Sequence, residues 1–412
     1  MAISKITTSG VSADTLTAAD LAPNSVDSSE LVDGSVDLSH MSVNSVDSDQ
    51  YVDASIDTAH IGDDQVTGAK IENNPTIAGN LTVSGDIVPS TPLSHRNMII
   101  NGGMQLAQRG TSFASQTSAN YIVDRWTQNI NGAQGTWTNG QEADAPTGSG
   151  FRNSLFMNCT AADGSPAVGD FVRVEQRFEG QDLQQIRKGT SSAKAVTVSF
   201  WAKSPNTGIH IVELEDRDNS RYCSQSYTIS SANTWEEFAL TFPADTTGVL
   251  NDDNGESLRV NFWLGAGATW TGGGSLGTTW HTTANTRAVG QVNVAGAIHS
   301  SNNYWQVTGV QLELGSNATP FEHRSYGEEL ARCQRYYTYG SVALGRVHGC
   351  LYSGSTYIGT IFFKQTMRAA PTIANVSGSY SGQVGSIGTN SFHFQKQSAA
   401  TYLDNWTASI EL

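Results

Sequence analysis

The chain has 412 residues, a net charge of −15, 15% charged and 9% aromatic residues, and 41 glycines. Such an acidic balance excludes nucleic acid as the expected partner, because phosphate binding needs clustered Lys and Arg, while the length leaves room for two or three domains. No long apolar run and no basic, apolar leader occurs, so neither membrane insertion nor a secretory signal is expected.

Residues 1–95 hold fourteen acids against Lys5 and Lys70, so −12 of the −15 lies there. An apolar side chain recurs at every fifth position: Ile6, Val11, Leu16, Leu21, Val26, Leu31, Val36, Met41, Val46, Tyr51, Ile56, Ile61, Val66 and Ile71. A period of five fits neither one face of a helix nor one face of a strand. The pattern describes short stacked turns with one anchor each, and a chain this poor in apolar residues needs partners to offset its ordering entropy. In a single-chain solenoid the inward position two before each anchor would carry Asn24, Asn44, Asp49 and Asp64, which is costly. A parallel homotrimer, with Val26 to Ile71 meeting on a common axis, is the favoured reading. The solenoid and a segment disordered in isolation are the alternatives. The shaft is expected to end with a short β segment over Thr76–Val88.

Composition changes near Pro89 and Pro92, and all nine tryptophans lie beyond, from Trp126 onward. Apolar alternation punctuated by Gly, Asn, Asp and Ser predicts strands at Asn153–Cys159, Phe171–Phe178, Ala195–Ala202, Gly208–Leu214, Arg221–Ile229, Glu236–Phe242, Leu258–Leu264 and Tyr304–Glu313. Eight strands without a long intervening helix predict an all-β jelly-roll sandwich over 96–324. The widely spaced Cys159, Cys223, Cys333 and Cys350, with no CxxC pair, read as buried thiols.

Ser325 followed by Glu328 is a capping box and predicts a connecting helix from Tyr326 to about Tyr337 within 325–337, acids in its first turn and Arg332 and Arg335 near its end. Residues 338–412 form a second β unit, with strands at Tyr357–Lys364, Ser391–Gln397 and Thr407–Leu412. Its Tyr, Ser, Gly and Asn suit a recognition surface.

Several segments carry a resemblance. Thr234–Pro243, Leu258–Leu264 and Trp305–Glu313 look like the closing strands of carbohydrate-binding-module jelly rolls. Arg96–Met104, Gln108-Arg109-Gly110, Asp124-Arg125-Trp126, Phe200–Ser204, Gly309–Gly315, Ala318–Glu322 and Glu328–Tyr337 follow one another as in phage tail fibre proteins, and the shaft is similar to the valine-serine-aspartate repeats of such fibres. The resemblance implies a virion tail appendage, assembled in the host cytoplasm: an N-terminal part joined to other tail proteins, a trimeric shaft and distal β domains that touch the host envelope. A capsid or head fibre is the alternative, and a depolymerase tailspike a further one.

If the receptor is a surface glycan, exposed rings should stack on sugar faces. Trp270 and Trp280 in a Gly/Thr loop, and Tyr352, Tyr357, Tyr380 and Trp406 in the last unit, are the candidates. No catalytic pattern stands out, so no enzyme, cofactor or metal is expected. Alternation puts Glu213 and Glu215 on one strand face, too close to flank a sugar from two sides, and with Asp216 they read as solvated strand-end carboxylates. Gly272, Gly274 and Gly277 match a nucleotide-binding pattern without its strand–helix context, and Asn251–Glu256 reads as a plain turn rather than a calcium loop.

Overall fold

A computed structural model describes Thr17 and residues 94–412, except Gly164, 295–302, 342–346, 354–355, 379–382 and 397–401. The repeat anchors Val26 to Ile71 and the segment Thr76–Val88 lie outside the described residues. In chain order the first strands are β1 (Ser112–Gln116), β2 (Asn120–Tyr121), β3 (Thr127–Asn131), β4 (Thr136–Glu142), β5 (Ser154–Ala161) and β6 (Phe171–Glu179). These are followed by β7 (Val196–Lys203), β8 (Gly208–Asp216), β9 (Arg221–Ile229), β10 (Glu236–Phe242), β11 (Glu256–Ala266) and β12 (Asn303–Leu314). They form two six-stranded sheets, in the orders β1-β4-β5-β12-β7-β10 (sheet A) and β2-β3-β6-β11-β8-β9 (sheet B). The described residues are nearly all β, and β1 to β12 form a sandwich, as the patterning predicts.

The sandwich is filled by alternate residues of facing strands. Val198, Phe200 and Ala202 of β7, Leu155 and Met157 of β5, and Trp305 and Val307 of β12 meet Val172 and Val174 of β6 and Val260 and Phe262 of β11, all buried. Phe262 sits at the centre, its ring 5.1 Å from Phe200, 5.2 Å from Trp305 and 6.2 Å from Trp126. Cys159, Cys223 and Cys333 are buried thiols, as expected; the Cys350 side chain lies outside the described residues.

Sheets need closed ends, and the segments that carry the tail-fibre resemblance supply one. Asn97 Oδ1 accepts from the backbone N–H of Ile99 at 2.9 Å and of Leu312 at 3.1 Å, tying the entry of the sandwich to β12. Asn101, at φ +58°, donates from Nδ2 to Leu106 O and Asp124 O, and its own carbonyl accepts from Trp126 Nε1. The helix α2 (Tyr326–Gln334) follows α1 (Ala268–Thr271) in the chain and is capped by Ser325, whose Oγ accepts from Glu328 N at 3.2 Å. It stops short of the predicted end: Tyr337 opens the next strand, and Arg335 instead makes a two-point ion pair with Glu179 at 2.8 and 2.6 Å.

Among the described residues nine short strands follow: β13 (Tyr337–Gly340), β14 (Val347–His348), β15 (Cys350–Ser353), β16 (Thr356–Phe362), β17 (Thr372–Ser377), β18 (Gln383–Gly385), β19 (Ser391–Lys396), β20 (Tyr402–Leu403) and β21 (Asn405–Ser409). Their own small core is Ile361, Phe392, Phe394 and Leu403. The last residues return to the sandwich, where Glu411 pairs with Arg125 and, at 3.0 Å, with Arg109. Arg125 is only 3% exposed and lies 3.4 Å over the Tyr336 ring.

Candidate functional site

A sandwich offers two outer faces, and here they differ in kind. Register puts Asn129, Arg173, Glu175, Glu213, Glu215, Arg259 and Asn261 on the outer face of sheet B. Residues 267–294, carrying α1, cover this face. Arg287 from that segment donates Nε and Nη2 to the two oxygens of Glu213, both at 2.7 Å, and its Nη2 lies 3.1 Å from Glu215. Arg173 reaches Glu215 at 3.2 Å, and Asn261 Nδ2 donates to Glu213 and Glu215 at 2.8 and 3.0 Å. Glu213 and Asp216 are 0% exposed and Glu215 is 2% exposed, which corrects the expectation of solvated carboxylates. Asp216 pairs with the buried Lys188. Isolated buried carboxylates would be costly, and cations from β6, β11 and the covering segment compensate them.

This arrangement sets a pH dependence. Burial raises the Glu175 and Glu215 carboxyls, but Arg173 and its neighbouring guanidiniums outweigh it and hold both below the usual range. Burial also raises Asp245, yet Arg221 and Lys188 bring it down to about 2. Burial outweighs the hydrogen bond to Asn206 O and holds the His210 imidazole below its ordinary 6.5. Depressed carboxyls stabilise the fold fully above their ordinary 4.5 and 3.8, and that stability is lost as pH falls toward the folded values. His210 acts in the same direction below 6.5, because the unfolded imidazole takes up the proton first. The melting temperature is expected to drift down below pH 6.5 and fall steeply below pH 4.5; a value that holds steady down through pH 3.8 would contradict this reading.

Of the six rings singled out in the sequence, four have described side chains. Trp270, in α1 of the covering segment, is half-buried, edge-on to Phe171 at 5.6 Å, with Nε1 donating to Gly169 O at 3.2 Å. Trp280 is also half-buried, packs on the main core, donates Nε1 to Pro243 O at 2.8 Å, and lies 4.7 Å from Lys188 Nζ. Trp406 packs edge-on to Phe392 in the small C-terminal core, and Tyr357 is half-buried in β16. The Tyr352 side chain and all of Tyr380 lie outside the described residues. Phe362, by contrast, is 76% exposed. Residues 251–256 form a turn closed by Gly255 N donating to Asp253 Oδ1 at 2.8 Å. No group of three or more His, Cys, Asp or Glu able to hold a metal occurs among the described residues.

Sheet A carries an open groove on its outer face. Because Phe200 and Trp201 are adjacent on β7, one ring must point out, and Phe200 fills the core. Trp201 therefore stands half-exposed, opposite Glu237 on β10 and Thr308 on β12. A cavity of about 620 Å³ opens here, with Ser199, Trp201, Glu237 and Ala239 on its strand side and Phe151, Thr319 and Phe321 among its other walls. Phe151 and Phe321 meet edge to face at 4.9 Å. Gly309, at φ +64°, makes the close approach possible: a Cβ there would lie 2.6 Å from the Phe151 ring. The groove thus combines apolar ring faces with hydroxyls and one exposed carboxylate, a set able to bind sugars and poorly suited to phosphate.

No protein family profile and no curated protein matches this chain. Among solved structures it is similar to the enzymatically active domain of tailspike protein 4 of bacteriophage CBA120, at 16% identity and a TM-score of 0.28, covering 53% of this chain and 21% of that one. It is also similar to TmCBM61, solved with β-1,4-galactotriose (10% identity, TM-score 0.26, 53% of this chain and 99% of that one). A family 11 carbohydrate-binding module from Clostridium thermocellum, solved with a mixed-linked tetrasaccharide, has 10% identity, a TM-score of 0.24, and coverage of 52% and 98%. At TM-scores this low the likenesses decide nothing about ligand or role, and the sandwich rests on its own strand order.

Proposed function

We propose that this chain is a non-enzymatic, homotrimeric subunit of a virion tail fibre that adsorbs to a host cell by binding a surface glycan in the groove on the outer face of sheet A. The observation that carries the reading is the aromatic groove itself, with Trp201, Phe151 and Phe321 as ring surfaces and Ser199 and Glu237 as hydrogen-bonding groups. Ordered tail-fibre segments from Arg96 to Tyr337 and the fivefold pattern of residues 1–95 support the virion role. One carboxylate, Glu237, lines the groove among the described residues, whereas glycosidic cleavage ordinarily uses two.

Adsorption of the labelled full chain to a panel of bacterial cells tests this. Trp201→Ala with Phe321→Ala is expected to cut adsorption about 30-fold or more, the loss of a binding hot spot worth roughly 2 kcal/mol, with the melting temperature and particle mass retained. Adsorption equal to that of the parent would overturn the site. Release of reducing sugar from the bound polysaccharide would overturn the non-enzymatic reading.

A further inference from the structure

The groove continues into a line of rings. Lys203 lies two residues beyond Trp201 on β7, opposite Gln306 of β12, which in turn faces Phe156 of β5. Trp235 lies two residues before Glu237, and its ring centroid is 5.1 Å from Lys203 Nζ. Tyr304 borders the same position, its ring 5.9 Å from that ammonium and its hydroxyl donating to Asn233 Oδ1 at 2.6 Å. Trp201, Trp235, Tyr304 and Phe156 are all half-buried. Residues two apart on a strand stand roughly 7 Å apart on one face, comparable with one sugar ring.

Charge and hydrogen bonding fit the same occupant. Lys203 is neutralised by Asp144, which also accepts from Trp235 Nε1 at 3.3 Å. Glu237 remains as the exposed charge beside Trp201. Gln306, 3% exposed, and Asn158, both on this face by register, have buried side-chain oxygens without a donor.

We infer that the outer face of sheet A binds a linear, uncharged glycan chain along β7, with the groove at Trp201, Phe151 and Phe321 as one anchor and Trp235 with Tyr304 as a second. The inference rests on the glycan reading above and adds the ligand's length and polarity. The test applies the full chain to an array of purified bacterial surface polysaccharides. Calorimetry then uses size-fractionated oligosaccharides of each binder. Affinity is expected to rise from monosaccharide to about tetrasaccharide. Trp235→Ala removes that rise, about tenfold for the longer oligosaccharides, the value of one anchor, and leaves the shortest binder unchanged; Trp201→Ala abolishes both. If Trp235→Ala lowers the melting temperature, Tyr304→Ala serves in its place, and Trp235→Phe is expected to restore the rise. A flat length dependence, an unchanged ladder in the second-anchor variant, or preference for uronate-rich chains overturns the inference alone. An array without binders, or binding indifferent to Trp201→Ala, overturns the glycan reading itself.

Discussion

Arg287→Ala is expected to destabilise the sandwich by about 3–5 kcal/mol in chemical denaturation, the cost of stripping one partner from a buried ion pair. The variant leaves Glu213, fully buried, with the amide of Asn261 and with Arg173 at a distant 4.0 Å. It also removes the guanidinium that lies 3.8 Å over Tyr222 and 5.1 Å from Trp270, loosening the segment that covers sheet B. Arg287→Lys keeps the charge but loses the two-point geometry and should fall between the two. Replacing both Arg287 and Glu213 with apolar residues of similar size should recover much of the loss, because neither charge then needs compensation. A cost within about 0.5 kcal/mol, typical of exposed sites, would mean that the network is solvated.

Glu411→Gln is expected to have an effect of the same size, again about 3–5 kcal/mol, at the other end of the sandwich. Arg125 is 3% exposed, packed on Tyr336 and donating to Arg177 O at 2.6 Å, and Glu411 is the carboxylate that balances it. The same carboxylate holds Arg109, which stacks 3.7 Å over Tyr337. Limited proteolysis should then cut near β21 while sheet A stays protected, since the C-terminal strands are held to the sandwich by these arginines and by Arg368 on Asn254 O at 2.7 Å. Unchanged stability would show that Arg125 finds its counter-charge elsewhere.

Legibility followed the strength of the local pattern. Val196–Lys203 has apolar side chains alternating with polar ones, and its bounds lie within a residue of those read from the sequence. The strands β1 to β4 escaped because their sequences, SFASQ, NY, TQNIN and TWTNGQE, offer little apolar alternation and are held by pairing to neighbours. The buried network escaped for a different reason: Glu213 and Glu215 are local, but Arg173, Arg259 and Arg287 reach them from elsewhere in the chain. Strand periodicity alone carries no information about which distant cations a face will meet.

The candidate site shows the same division. Trp270 and Trp280 sit in a glycine-rich loop whose sequence leaves sugar contact and packing both open; Trp270 packs beside Ile211 and Trp263 of sheet B, and Trp280 packs on the main core. Trp201 was legible in principle, since two adjacent aromatic residues on a half-buried strand cannot both face the core. What the strand pattern omits is the wall opposite: Phe151 and Phe321 arrive from segments far apart in sequence, and Gly309 makes room for them. Meanwhile Asn97, Asn101, Asp124, Arg125 and Arg335, which lie in the segments that resemble tail fibre proteins, build the junction between sandwich, helix and C-terminus. The resemblance thus speaks to architecture more than to ligand.

The most direct test of the central claim is diffraction from crystals of the full chain soaked with an oligosaccharide of the polysaccharide that it binds. Sugar density stacked on Trp201, between Glu237 and the Phe151–Phe321 wall, is the expected result. Density at Trp270, Trp280 or Phe362 with an empty groove would contradict the account and move recognition to the loops or to the C-terminal unit.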